Sequence, residues 1–176
     1  MLDIDHFISG FSDHFETTPY KQPWDIANNL ILLIEAIIPN LDEGYVINNG
    51  VAIHKSAMVE PGVVFKSPAI IMEGCVIAAN AYFREGAILD KFVKIGAGYE
   101  IKSSIICSNT AIAHFNYIGN SIIGRNVNFE AGSIAANHYN ERDTKEISVR
   151  VGMEIIKTNS KKFGALVGDG SRIGAN

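Results

Sequence analysis

At 176 residues, 47% of them hydrophobic and 19% charged, the chain is long enough to bury the core of one ordinary soluble domain. A formal charge of −4 gives no basis for general affinity to nucleic acid, and the longest apolar run, Leu30 to Ile34, is far too short to insert in a bilayer. The acidic start, Met1-Leu-Asp-Ile-Asp-His6, is unlike a signal peptide, and Cys75 and Cys107 make neither a disulfide framework nor a metal motif, so the expected location is cytoplasmic.

Residues 1–45 carry no repeat and read as a helical N-terminal cap. Pro23-Trp24-Asp25 opens a helix with Ala27, Leu30, Ile31, Ile34, Ile37 and Ile38 on one face, and Pro39 stops it. Solenoids need capping at their ends, so this helix is expected to cover the open end of the first coil of a repeat.

From residue 46 to 176 the dominant signal is a period of six. Ile53, Val59, Phe65, Ile71, Ile77, Phe83, Leu89, Ile95 and Ile101 are all large and apolar. The positions four residues later, Ala57, Val63, Ala69, Cys75, Ala81, Ala87 and Val93, are small or β-branched. A five-residue step then leads to Ile106, Ile112 and Ile118, a second to Ile123, Phe129 and Ala135, and Val167 and Ile173 resume the series after an interruption. Neither helical spacing nor strand alternation gives this pattern. Three hexapeptides close an 18-residue triangular coil, and stacked coils pair as parallel strands about 4.8 Å apart. The expected fold is an all-β, left-handed parallel β-helix, with Gly62, Gly74, Gly86, Gly96 and Gly124 at corners that demand unusual backbone angles.

Within the repeat, residues 138–162 form a loop that reads as a hairpin extruded from the coils, with Ile147, Val149 and Val151 before Gly152-Met153 and Ile155 and Lys157 after. A loop of that length in a regular solenoid points to function. The C-terminal end at Ile173-Gly-Ala-Asn176 stops soon after a new hexapeptide begins and resembles no cap, as expected of a truncated form of a longer protein.

Residues directly after each inward position are expected at solvent-facing corners. One ridge of such corners carries His54, Met72 and Asp90; a second carries Glu60, Ala78 and Gly96; the third carries Lys66, Arg84 and Lys102. Three cations stacked roughly 5 Å apart repel one another unless an anion sits against them, and phosphate is the natural one. Among five histidines, His114 interrupts the apolar, aromatic run Ala113-His-Phe-Asn-Tyr-Ile-Gly119. An imidazole titrating near neutrality suits removal of a proton from an attacking amine or hydroxyl.

Several stretches carry a specific resemblance: Phe83-Arg-Glu-Gly-Ala87, Tyr99-Glu-Ile-Lys102, Ala113 to Gly119, Ile123-Gly-Arg-Asn-Val-Asn-Phe-Glu-Ala-Gly132 and Ala135-Ala-Asn137. They resemble the hexapeptide-repeat acetyltransferase domain that makes N-acetylglucosamine 1-phosphate in the bifunctional bacterial enzymes joined to an N-acetylglucosamine-1-phosphate uridyltransferase. Lys161 to Gly170 is closer to the archaeal-type sugar-phosphate nucleotidyltransferases that carry the same β-helix. The resemblance implies a sugar-phosphate site at Arg84, Lys102, Tyr117, Asn128 and Asn137, with His114 as general base. It also implies acetyl-CoA as co-substrate with no metal needed, and a homotrimer with sites between subunits. The acceptor it implies is an amino-sugar phosphate or a nucleotide sugar. His138 replaces the tyrosine of close bacterial relatives, and Lys145 is the candidate for the loop lysine that helps the family hold its acceptor.

No nucleotide-binding domain fits before the repeat, so uridyltransfer is not expected of these residues. Two alternatives stand beside acyl transfer to the amine. One is a non-catalytic trimeric module that binds sugar nucleotides; the other is an O-acyltransferase of the lipid A type. A zinc enzyme on this fold is disfavoured because His54, His114 and His138 lack the spacing of paired ligands.

Overall fold

The computed structural model describes residues 2–175. They form the left-handed parallel β-helix that the period of six predicts. Three columns of side chains fill it, set by the pairing register of successive coils. Ile53 stacks on Ile71, then Leu89, Ile106, Ile123 and Val167. Val59, Ile77, Ile95, Ile112, Phe129 and Ile173 make the second column. Phe65, Phe83, Ile101, Ile118 and Ala135 make the third, opened by a stacked ring pair whose centroids lie 4.9 Å apart.

Each five-residue step has a local cause. Arg84 pairs with Lys102 and Ala87 with Ser104, so Glu85 and Gly86 on one coil face Ser103 alone on the next. A coil one residue shorter leaves corner amides without a ladder partner, and inward hydroxyls serve them instead. Ser121 N donates to Ser104 Oγ and Ala165 N to Ser121 Oγ, and at the six-residue step from Ile106 to Ile112 Val127 N donates likewise to Thr110 Oγ1, each at 3.0 Å. These three hydroxyl residues are buried without loss, because each also donates to a backbone carbonyl.

The corner glycines divide into two kinds. Gly62, Gly74 and Gly86 have positive φ as expected, whereas Gly96 and Gly124 do not. These two are small because a Cβ would run into the backbone of the following coil, at Ala113 and at Asp169 respectively.

The N-terminal segment departs from expectation. It lies along one flank of the coils and not over their end. Ala52, Ile70, Ile88, Ile105 and Ile122 point outward from successive coils as an apolar stripe, and Ile8, Phe11, Phe15, Ile26, Leu30, Leu33 and Ile34 bury it. The expected single helix is broken at Asn29, whose backbone leaves helical geometry and whose side-chain amide donates to Asp25 O at 2.9 Å. Pro23–Asn28 and Leu30–Ile37 are therefore separate helices, followed by a turn at Ile38–Asn40. Ile31, expected on the packed face, is exposed, and Leu33 takes its place. The corner ridge beneath this segment is likewise not open to solvent. Asp90 is buried, accepting from Lys91 N, Ser108 N and the His14 ring, and Cys107 is buried beside it.

The inserted loop carries the hairpin Ser148–Val151 and Glu154–Lys157. Ile147 and Phe163 pack its base on Trp24, with the Trp24 and Phe163 rings edge to face. After the loop, Leu166–Val167 pairs with Ile122–Ile123, so the coil resumes in register.

Candidate active site

Three strands stacked on one face position the candidate site: Tyr82–Leu89, Glu100–Ile106 and Tyr117–Gly119. Their register lines up Tyr82, Glu100 and Tyr117 in one outward column and Arg84, Lys102 and Gly119 in the next. The cation ridge is therefore real, but it is not bare. Arg84 Nε donates to Glu100 Oε1 at 2.7 Å and Nη1 to Glu85 Oε1 at 2.8 Å, and the same Glu85 oxygen lies 3.0 Å from Lys102 Nζ.

Burial sets the electrostatics. The Lys102 ammonium is almost wholly enclosed, and this burial depresses its pKa; the Glu85 carboxylate acts the other way and the Lys162 ammonium adds to the depression. Burial alone would raise Glu85, yet the hydrogen bond and charge of Lys102, with Lys162 and Arg84, hold its carboxyl below the ordinary value. Burial would lower Arg84, but its bond to Glu100 and the charge of Glu85 outweigh that and raise it. Tyr117 is raised, first by burial and then by the nearby Glu100.

Amides continue the site away from the cations. The Tyr117 hydroxyl and the Asn137 side-chain amide meet beside Gly119. Asn137 Nδ2 donates to Asn120 Oδ1 at 2.6 Å, Asn120 Nδ2 to Asn28 Oδ1 at 2.8 Å, and Asn28 Nδ2 to Lys162 O at 3.0 Å. The relay joins the coil, the N-terminal helix and the return of the loop. Gly119 leaves it room: a Cβ there would stand 2.5 Å from the Tyr117 hydroxyl and 2.8 Å from the Asn137 amide.

The structure thus brings Arg84, Lys102, Tyr117 and Asn137 together within one chain. Asn128 is elsewhere, on the other sheet between Ala111 and Arg172. His114 stands exposed at the corner between Ala111–Ile112 and Tyr117–Gly119. Its backbone is held closely: its carbonyl accepts from Gly132 N at 3.1 Å and from Asn116 Nδ2 at 3.3 Å. Its ring makes an edge contact with Phe115 at 5.7 Å, and among the described residues no side chain hydrogen-bonds it. Phe115 is 71% exposed and has φ 58°.

The residues that sequence reasoning missed are Glu85, Glu100, Asn120 and Lys162. Glu85 and Glu100 stand beside the cations in the sequence, but only pairing register shows that they neutralise them. Lys145 donates to Asn140 O within the loop, whereas the charge of Lys162 is felt at Lys102 and lowers its pKa. Neither cysteine is suited to nucleophilic chemistry: burial pushes the Cys75 thiol up to about 11 and Cys107 higher still. Among the described residues no helix is long and apolar enough to cross a membrane.

The GMPPB C-terminal domain family matches residues 41–156. The chain is 36% identical over 162 residues to a bifunctional sugar-1-phosphate nucleotidylyltransferase/acetyltransferase of Sulfurisphaera tokodaii, covering 88% of this chain and 39% of that protein. It is 44% identical over 151 residues to the bifunctional protein GlmU of Methanococcus maripaludis, covering 84% and 36%. The chain thus spans less than two fifths of the length of these relatives. Among solved structures, a mutant perosamine N-acetyltransferase from Caulobacter crescentus in complex with CoA and GDP-perosamine is similar with a TM-score of 0.42 and 20% identity, over 63% of this chain and 61% of that one.

Proposed function

The chain belongs to the GMPPB C-terminal domain family, and from that premise we propose that it transfers an acetyl group from acetyl-CoA to the amine of a phosphorylated or nucleotide-linked amino sugar. One observation carries the reading. Arg84 and Lys102 stack on adjacent coils beside Tyr117 and Asn137, which is a phosphate-sized cluster of donors at the positions the family resemblance marks.

In the proposed reaction His114 takes a proton from the neutral sugar amine as its nitrogen attacks the thioester carbonyl. The C–N bond forms, the C–S bond breaks, and the thiolate leaves and is protonated. Arg84 and Lys102 hold the acceptor's phosphate, while Tyr117 and Asn137 orient the sugar. Asn128 lies too far round the coil to join them in one chain, so the complete site needs a second copy, consistent with a homotrimer. An acyl-CoA donor fits a cytoplasmic protein.

A second reading is a trimeric module that binds sugar nucleotides without chemistry. The absence of an orienting side chain on the His114 ring, among the described residues, favours it. Acetyl-CoA-dependent thiol release against a panel of amino-sugar 1-phosphates and nucleotide amino sugars separates the two. Turnover that disappears in His114→Ala supports transfer. Acceptor binding without turnover supports the module.

A further inference from the structure

Glu85 is an unusual residue for its position. It sits at φ 55°, in the left-handed region that disfavours a side chain such as glutamate, in the coil that carries one residue more than the next. Its Oε1 is shared between Arg84 Nη1 and Lys102 Nζ. Lys102 is otherwise enclosed, so no second anion reaches it while Glu85 stays in place. Glu100 cannot substitute, because it bonds Arg84 from the neighbouring column and leaves Lys102 unpaired.

We propose that Glu85 is a resident counter-anion which holds the phosphate position between Arg84 and Lys102 in the free protein and is displaced by the phosphate of the acceptor. The proposal rests on the sugar-phosphate reading of the site.

The charges of the cluster suit a phosphate in the place of Glu85. Arg84, Lys102 and Lys162 supply three positive charges, and Glu85 and Glu100 two negative ones, a net of +1. Exchanging the Glu85 carboxylate for a dianionic phosphomonoester brings the cluster to zero. Exchange for a monoanion leaves it at +1, so the cations themselves favour the dianion, while the tethered carboxylate weakens both by the same factor. The carboxylate is able to leave, since its side chain is 45% exposed and rotates out to water. The same charges favour a doubly charged amino-sugar phosphate over a sugar phosphodiester that carries one charge.

Isothermal titration at pH 8 with glucosamine 1-phosphate and with its methyl phosphodiester tests this in the full chain. The parent should bind the monoester at least about tenfold tighter than the diester. In Glu85→Gln both ligands should tighten about three- to tenfold, because no carboxylate competes with either for the cations. Glu85→Gly removes the same carboxylate while suiting the positive φ, and should behave alike. Unchanged or weaker monoester binding in both Glu85 variants while Arg84→Ala loses binding overturns the counter-anion and leaves the site reading standing. Parent-like monoester binding in both Arg84→Ala and Lys102→Ala overturns the site reading and the proposal with it.

Discussion

Asn116 Nδ2 donates to the carbonyl oxygen of His114 across 3.3 Å from inside the coil, where Asn116 is 3% exposed. The amide thus fixes the corner from which the imidazole projects, without touching the ring. Asn116→Ala is expected to lower kcat several-fold with little change in acceptor KM, and to cost about 1 kcal/mol of stability. Asn116→Ser, which keeps a donor on a short side chain, should recover part of kcat. Equal losses in both variants, or a loss confined to KM, would count against a positioning role.

The imidazole itself carries the larger expectation. His114→Ala should reduce turnover by roughly 10²–10⁴-fold, the usual range for a positioned general base. Because the side chain is exposed and makes no hydrogen bond among the described residues, its melting temperature should stay close to that of the parent. Steady-state kinetics and a thermal melt on the same preparation check both halves.

At Gly119 a methyl group meets the Tyr117 hydroxyl and the Asn137 amide, the movable ends of two side chains and not backbone. Gly119→Ala is therefore expected to fold and to push those two groups from their places. Acceptor KM should rise several-fold while the KM for acetyl-CoA stays put. A variant with both constants unchanged would remove Tyr117 and Asn137 from the acceptor site.

The acid limb of stability reports on Glu85. Its carboxyl is held below the ordinary value in the folded chain, so the stabilisation is fully present above the unfolded value, about 4.3, and is lost as pH falls through the lower folded value. Partial exposure screens the ion pairs, so the contribution is small, roughly 1 kcal/mol or less. Urea denaturation of the parent and Glu85→Gln between pH 7 and pH 3 should show the parent losing more stability than the variant across that window. Parallel curves would show that Glu85 gains nothing from its cations.

Phe11 is wholly buried over the outward stripe. Phe11→Ala should cost about 3–5 kcal/mol by removing its burial and leaving a cavity. Urea denaturation gives the value, and a cost under about 1 kcal/mol would mean that the segment adds little to the coils.

The coil core was legible because inward side chains obey a strict period: Ile71, Leu89 and Ile106 are large whatever surrounds them. The flank was not, although its signal lies in the doublets Ile70-Ile71, Ile88-Leu89, Ile105-Ile106 and Ile122-Ile123. A single phase of six explains one member of each pair, and the other reads as chance until a covering element is found. The helix at Pro23 was visible from its own residues, but its partner surface lies on strands far along the chain. At the site, Arg84 and Lys102 were legible from an 18-residue interval. Glu85, Glu100 and Lys162 depend on a bulge, a neighbouring column and the return of a long loop, none of which a periodic count contains.

Stacked coils ordinarily touch only their immediate neighbours, and such arrays tend to fray one unit at a time. Here the segment from Ile8 to Ile34 lies against Ala52 on the first coil and Ile122 on the fifth, and Ser9 N donates to Asp169 on the last. Coils that never meet are therefore tied to one strip of chain, and losing the strip weakens all of them at once. Hydrogen exchange should accordingly find the amides beneath the strip opening as a single cooperative unit, with protection that does not decay from one end of the helix to the other.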